Sequence, residues 1–295
     1  MLTVERIERK KSVLSVSAHD PFGMAGIAMD QRALQGLNVH CASCITANTA
    51  QNQSAFMQLN PVVLNTFISQ LDALYQQDIF SVIKIGLISD IEQAKTLVNH
   101  PIFSAKTIVL DPVLGASSEH THIKKVNQQR LNALLYLLPH VQIFTPNMDE
   151  AKAFIAELDS SFTAIDNPLA LAKALQAQTG SAILLKGGHG DNKSQDIYCD
   201  SARHFYLESP EYNHHYNRGT GCAMASLIAG AIALGHSMAD AVVIAKMKMN
   251  TAWQSPFSID EHTGSLGFIQ AAEDLPSLYA HKSETGLRFL PCDTD

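Results

Sequence analysis

What constrains this chain most is a rhythm. Short apolar runs alternate with longer segments of helical periodicity along most of its 295 residues. Ser12–Ser17, Val39–Thr46, Ser81–Ile85, Thr107–Leu110, Val141–Phe144 and Ala182–Leu185 read as buried strands. Between them lie segments of helical spacing: Ile27–Leu37, a stretch after Pro61, Asp90–Asn99, Val126–Leu138, Asp149–Glu157 and Asn167–Gln178. Asp196–Cys199 and His204–Leu207 read as a hairpin at a sheet edge. Strand–helix alternation predicts an α/β fold, a three-layer α/β/α sandwich whose central sheet is mostly parallel with right-handed connections. Polar or glycine signals recur directly after strands, at Asp20, Gln51, Gly86, Asp111, Asn147 and Lys186. In open α/β sheets the ligand crevice lies outside the carboxyl ends of the strands, so these residues are expected along one edge.

A second feature belongs to that edge. Asn217-Arg218-Gly219-Thr220-Gly221-Cys222 precedes a small-residue apolar segment, Ala223–Gly235, with almost no polar face. This predicts a glycine turn opening a buried helix. The first amides of a helix have no internal partners and carry the positive end of its dipole. Two glycines let those amides close on an anion. Cys222 sits at the mouth, where a thiol's pKa is expected to fall. The same string also reads as an ordinary loop before a core helix.

Composition narrows the class. With 46% hydrophobic and 17% charged residues, the chain can bury a large core, and one α/β domain spanning 1–295 is expected, its core at about 12–280 and a loose tail over 283–295. A net charge of -7, with no basic run beyond Glu8–Lys11, argues against a nucleic-acid surface. No segment reads as a signal peptide or membrane span, so a cytoplasmic protein is expected. Five cysteines are scattered, and Cys41-Ala-Ser-Cys44 is a lone CxxC inside a strand-like run, read as buried thiols.

Seven short motifs in order carry a resemblance. They are Asp20-Pro21-x-Gly23-x-Ala25-Gly26-Ile27 with Asp30; Ile45-Thr46-Ala47-x-x-Ala50-Gln51-Asn52; Lys84-Ile85-Gly86; Val109-Leu110-Asp111-Pro112-Val113; Thr145-Pro146-Asn147-x-x-Glu150-Ala151; Lys186-Gly187-Gly188-His189; and Gly219-Thr220-Gly221-Cys222. Together, from about Ser15 to Ser255, the chain resembles the ribokinase superfamily and, within it, the hydroxymethylpyrimidine/phosphomethylpyrimidine kinases of thiamin biosynthesis. The resemblance implies phosphoryl transfer from ATP with Mg²⁺ to a small aminopyrimidine or its monophosphate, in a family of frequent homodimers. It implies that Gly219, Thr220, Gly221 and Cys222 hold the transferring group, with Cys222 as base. Asn147, Lys186, Asp111 and Thr220 are implied at ATP, and Glu150 at Mg²⁺. Asp30, Gln51, Ala25, Leu87 and Val113 are implied around the pyrimidine, Gln51 as an amide that can pair with its donor and acceptor edge. Plainer readings stand beside these: Asn147 and Glu150 as a helix cap, Cys222 as a packing residue, Gln51 on a surface loop.

The first loop departs from the family pattern. Ala18, His19, Phe22 and Met24 stand where glycines and small residues are usual, Thr49 where an apolar residue is, and Arg218 where a histidine is. Arg218 reads either as a phosphate partner or as solvent-facing. Two other functions are therefore carried: a pyridoxal or related vitamer kinase on the same scaffold, and a catalytically weak pyrimidine-binding regulator.

Overall fold

The computed structural model describes residues 9–52, 55–77, 79–114, 121–187, 195–209, 218–259 and 264–268. Its elements are β1 (Ser12–His19), α1 (Gly26–Gln35), β2 (His40–Gln51), β3 (Phe56–Pro61), α2 (Leu64–Tyr75), β4 (Val82–Ile85), α3 (Ile91–Asn99), β5 (Thr107–Leu110), α4 (Thr121–Leu137), β6 (Ile143–Phe144), α5 (Met148–Leu158), α6 (Pro168–Thr179), β7 (Ala182–Leu185), β8 (Gln195–Cys199), β9 (His204–Glu208), α7 (Thr220–Ala233) and α8 (Met238–Gln254), followed by the short strands β10 (Phe257–Ser258) and β11 (Gly264–Ser265). Nine strands form one sheet in the order β3-β2-β1-β4-β5-β6-β7-β8-β9. The six from β2 to β7 in that order run parallel, while β3 pairs antiparallel with β2 at one edge and β8 pairs antiparallel with both β7 and β9 at the other.

The core divides by face, as the period of a strand requires. Leu14, Val16, Ile83 and Ile85 pack with residues of α2, α3, α4, α5 and α6. Val13, Val82, Val109 and Leu184 pack with α1, α7 and α8. Burial on both faces is why these strands read as continuous apolar runs. The α7 segment, nearly free of polar residues, is covered on all sides: ten of its residues from Ala223 to Ala233 are buried.

The reading of the β2 region needs correction. The strand read as Val39–Thr46 does not stop there: β2 continues through Gln51, which is therefore not on a surface loop, and pairs with β3, a strand the residues did not announce. β3 is an edge strand exposed on both faces, so it shows no burial alternation. Pro61 ends that strand instead of opening a helix, a position that a sheet edge tolerates, and α2 starts at Leu64. Cys41 and Cys44 lie in β2 as free thiols, Cys44 fully buried. Glu8, Gln53, Gly188-His189, Asn213–Asn217, Cys292 and the Ser283–Asp295 tail lie outside the described residues.

Candidate active site

Main-chain hydrogen bonds carry the parallel ladder past the ends of its strands and bring the strand-end residues to one edge. Gly86 donates to Val16, Asp111 to Ile85 and Thr145 to Leu110, while Lys186 donates to the Pro146 carbonyl beside Asn147. Lys186 Nζ reaches Asp111 Oδ1 at 3.0 Å. The first turn of α7 faces this pair. A side chain at Gly221 would put its Cβ 3.1 Å from Lys186 Nζ and 3.5 Å from Asp111 Oδ1. Gly219, the N-cap, has φ +75 and lies so close to the Met24 carbonyl that a methyl group would overlap it. Gly219 is thus fixed by geometry, since it turns the chain against a carbonyl, while Gly221 leaves room beside the end of a lysine side chain.

The electrostatics of this corner are coupled. Burial alone would push Asp111 up, but Lys186 and Lys84 overcome it and hold the carboxyl below its usual range. Burial acts to lower Lys186, and Asp111 and Glu150 more than reverse it. Asp111 Oδ2 is buried and has no hydrogen-bond partner. Glu150 is pushed up to about 7, by burial first; Lys186 acts the other way and Asp111 adds to the rise. Asn147 and Glu150 form a reciprocal capping box at the start of α5, with both hydrogen bonds at 2.8 Å. The cap is therefore present, and it sits against the Lys186 strand end. Gly187 is pinned from behind: it donates to Asp196 Oδ1 at 2.8 Å, and Lys246 Nζ holds Asp196 Oδ2 at 2.6 Å.

Two expectations fail here. The Cys222 thiol was expected to have a lowered pKa, and instead it is pushed up to about 12. Burial is the main cause, although the Cys222 side chain keeps some contact with solvent. Lys84 and a hydrogen bond from the Gly26 amide pull it down, while Asp111 and Asp30 push it up. A helix N-terminus does not compensate for removing water from a thiolate flanked by two carboxylates. Asp30 was expected to face a substrate, yet it is fully buried. Its Oδ1 accepts from Lys84 Nζ at 2.8 Å and from Ser226 at 2.8 Å, and its Oδ2 accepts from Ser15 at 2.6 Å. The carboxylate is saturated beneath the site, between β1, β4, α1 and α7. Lys84, itself wholly buried, has no role in the sequence reading beyond its motif. A lysine inside the apolar strand Val82–Ile85 was the available signal, because a buried ammonium needs a counter-charge.

The remaining expected site residues gather around β2 and the first loop. Ala18, Ala47 and Leu87 cluster, with Leu59 and Val113 packed against them, so the two expected apolar-wall residues do meet. Ala25 is the N-cap of α1 and partly buried. In the first loop Asp20 accepts from the Phe22 and Met24 amides at 3.0 and 3.1 Å. His19 is exposed, and its carbonyl accepts from Thr49. Arg218 is partly buried rather than solvent-facing, and it contacts the β2 end. Its Nη2 donates to Gln51 Oε1 at 2.5 Å, its Nη1 donates to the Asn52 carbonyl at 2.5 Å, and its Nε lies 3.8 Å from Asp20 Oδ2. Gln51 is thereby tied to the residue just before Gly219, which brings the amide of β2 next to the glycine turn of α7.

Comparison with known proteins gives a consistent result. The profile of the family described as phosphomethylpyrimidine kinase matches residues 20–267. The hydroxymethylpyrimidine/phosphomethylpyrimidine kinase of Haemophilus influenzae is 32% identical, over 86% of this chain and 95% of its own. The thiamine biosynthetic bifunctional enzyme TH1 of Arabidopsis thaliana is 31% identical over 85% of this chain, which spans 48% of that longer protein. Among solved structures, the pyridoxal kinase from Staphylococcus aureus in complex with AMP-PCP and pyridoxal superposes with a TM-score of 0.75 at 23% identity, covering 88% of this chain and 94% of that one. The fold is ribokinase-like, as the motifs implied.

Proposed function

This chain belongs to the phosphomethylpyrimidine kinase family, and from that premise we propose that it phosphorylates 4-amino-5-hydroxymethyl-2-methylpyrimidine and its monophosphate with ATP, for thiamin biosynthesis. The single observation that carries the reading furthest is the corner where Gly221 faces the Lys186–Asp111 pair. Phosphoryl transfer needs little covalent help and depends on positioning and charge neutralisation. The amides of Gly219–Cys222 receive the transferring phosphoryl oxygens, and Lys186 neutralises charge on the phosphate chain. Thr220, Asn147 and Asp111 complete the nucleotide side.

The residues present fit Mg²⁺. Asp111 Oδ2 is an orphaned buried oxygen, and Glu150 stands close enough to Asp111 to feel its charge. Mg²⁺ keeps most of its waters and takes one or two carboxylates plus phosphate, which is what these two carboxylates beside the nucleotide phosphates would offer. Bound there, Mg²⁺ supplies neutralisation of the developing charge. Cys222 lies at the acceptor end of the cleft as a thiol. The acceptor hydroxyl, oriented by a hydrogen bond to the Cys222 thiol, loses its proton late, as its oxygen bonds to phosphorus and the bond from phosphorus to the ADP oxygen breaks; the proton passes to an oxygen of the transferring phosphoryl group, so no ready thiolate is required. Gln51 faces the ring edge, and Leu87, Val113 and Ala25 bound the ring.

No described helix is long and apolar enough to cross a membrane. A cytoplasmic homodimer with no nucleic-acid partner fits the reading. Steady-state turnover with MgATP on hydroxymethylpyrimidine and on pyridoxal tests it. Turnover of the pyrimidine well above pyridoxal is expected. The reverse preference would make the chain a vitamer kinase, and binding without turnover would make it a regulator.

A further inference from the structure

We propose that Arg218 is a specificity-determining residue: it fixes which end of the Gln51 amide meets the substrate, and so selects a ring edge that presents a hydrogen-bond acceptor. The inference rests on the pyrimidine reading above and goes beyond it.

A glutamine amide is nearly symmetrical in shape, with an acceptor at one end and a donor at the other. Left alone, it can flip and pair with an amino-substituted ring or with its oxo counterpart. Arg218 removes that freedom. A guanidinium has five donors and no acceptor, so the Gln51 atom facing it is the oxygen, at 2.5 Å from Nη2. The same planar fork grips the Asn52 carbonyl through Nη1, and Asp20 Oδ2 sits 3.8 Å from its Nε. Asp20 is itself fixed by the Phe22 and Met24 amides. The arginine is thus held by two hydrogen bonds, with the Asp20 carboxylate near an Nε that itself has no hydrogen-bond partner, and it cannot rotate away without losing both. Gln51 lies at a bulge, where the β2–β3 register shifts between Ala50 and Gln51, the kind of irregularity that re-aims a side chain out of a sheet. With Oε1 engaged, Nε2 is the end left to a ligand, and no described residue accepts from it.

A locked donor prefers a ring whose facing nitrogen is unprotonated. The 4-amino ring offers such a nitrogen, whereas the 4-oxo analogue carries N–H at the same place and would set donor against donor. Leaving a buried donor unmatched costs enough for about tenfold or more in affinity.

The test measures binding of two probes, 4-amino-5-hydroxymethyl-2-methylpyrimidine and its 4-oxo analogue, to the intact protein. Wild type is expected to prefer the amino ring by about tenfold or more. Arg218→Met keeps the aliphatic stem and frees the amide, so the ratio should fall to within about threefold. Arg218→Lys, still donor-only, should keep most of it. Gln51→Glu provides a second line: the carboxylate keeps its bond to Arg218 but has no donor, so amino-ring affinity should drop while melting temperature holds. An unchanged ratio in a folded Arg218→Met protein, or unchanged amino-ring affinity in Gln51→Glu, would overturn the inference and leave the pyrimidine reading standing. Wild type that binds neither ring would take down that reading and this inference with it.

Discussion

Replacing Lys84 with methionine should destabilise the whole molecule, and the size of the effect follows from what remains. Lys84 and Asp30 are both fully buried, and Nζ lies 2.8 and 3.0 Å from the two carboxylate oxygens. In Lys84→Met the carboxylate keeps the Ser15 and Ser226 hydroxyls but loses its counter-charge. Removing one partner of a buried pair costs about 3–5 kcal/mol, because the other charge is stranded out of water. The two hydroxyl donors place this case toward the lower end. At roughly 2–3 °C per kcal/mol for a chain of this size, the melting temperature should fall by about 6–12 °C. The double variant Lys84→Met/Asp30→Asn removes the stranded charge and should recover more than half of the loss. Thermal unfolding followed by circular dichroism, completed as a double-mutant cycle, measures both. A Lys84→Met protein melting within about 2 °C of wild type, or a double variant as unstable as the sum of the singles, would refute the claim that this pair acts as a unit.

Other outcomes follow from the same geometry. With Cys222 pushed up to about 12, its reaction with iodoacetamide should be negligible at pH 8 and rise about tenfold per pH unit toward pH 11; a labelling midpoint below about 9 would contradict the burial argument. Cys222→Ala should reduce turnover far more than nucleotide affinity, and a wild-type rate would remove the thiol from the mechanism. Gly221→Ala puts a methyl group 3.1 Å from Lys186 Nζ and should lower turnover by at least about tenfold with little change in melting temperature; near-normal kinetics would mean that no phosphate binds there. Asn147→Ala removes the capping oxygen of α5 and should cost about 1 kcal/mol of stability, together with a raised KM for MgATP; a stability loss with unchanged KM would reduce Asn147 to a cap alone.

Much of this architecture could be read from the residues because it is built on contrast. Strands buried on both faces, such as Val82–Ile85 and Ala182–Leu185, must be almost wholly apolar, and a polar residue directly after them marks the ligand edge. Gly219 and Gly221 were legible for a similar reason, since few other residues fit a left-handed turn against a carbonyl or a helix start against a lysine. β3 was not legible: an edge strand exposed on both faces, ending in proline, carries no periodic signal. Asp30 misled because a motif position says that a carboxylate is needed, and only packing says what neutralises it. Cys222 misled because a helix N-terminus acts over one turn, whereas burial and two neighbouring carboxylates act together. The contacts of Arg218 could not be read, because its partners Asp20, Gln51 and Asn52 meet only once the sheet is assembled.

The most direct measurement is a crystal structure with a non-hydrolysable ATP analogue, Mg²⁺ and the aminopyrimidine bound together. The account predicts the terminal phosphate on the Gly219–Cys222 amides beside Lys186, the ring edge on Gln51 Nε2, and the hydroxymethyl oxygen in line with phosphorus at about 3–3.5 Å. A ring seated away from Gln51, or a phosphate chain that bypasses the start of α7, would contradict it.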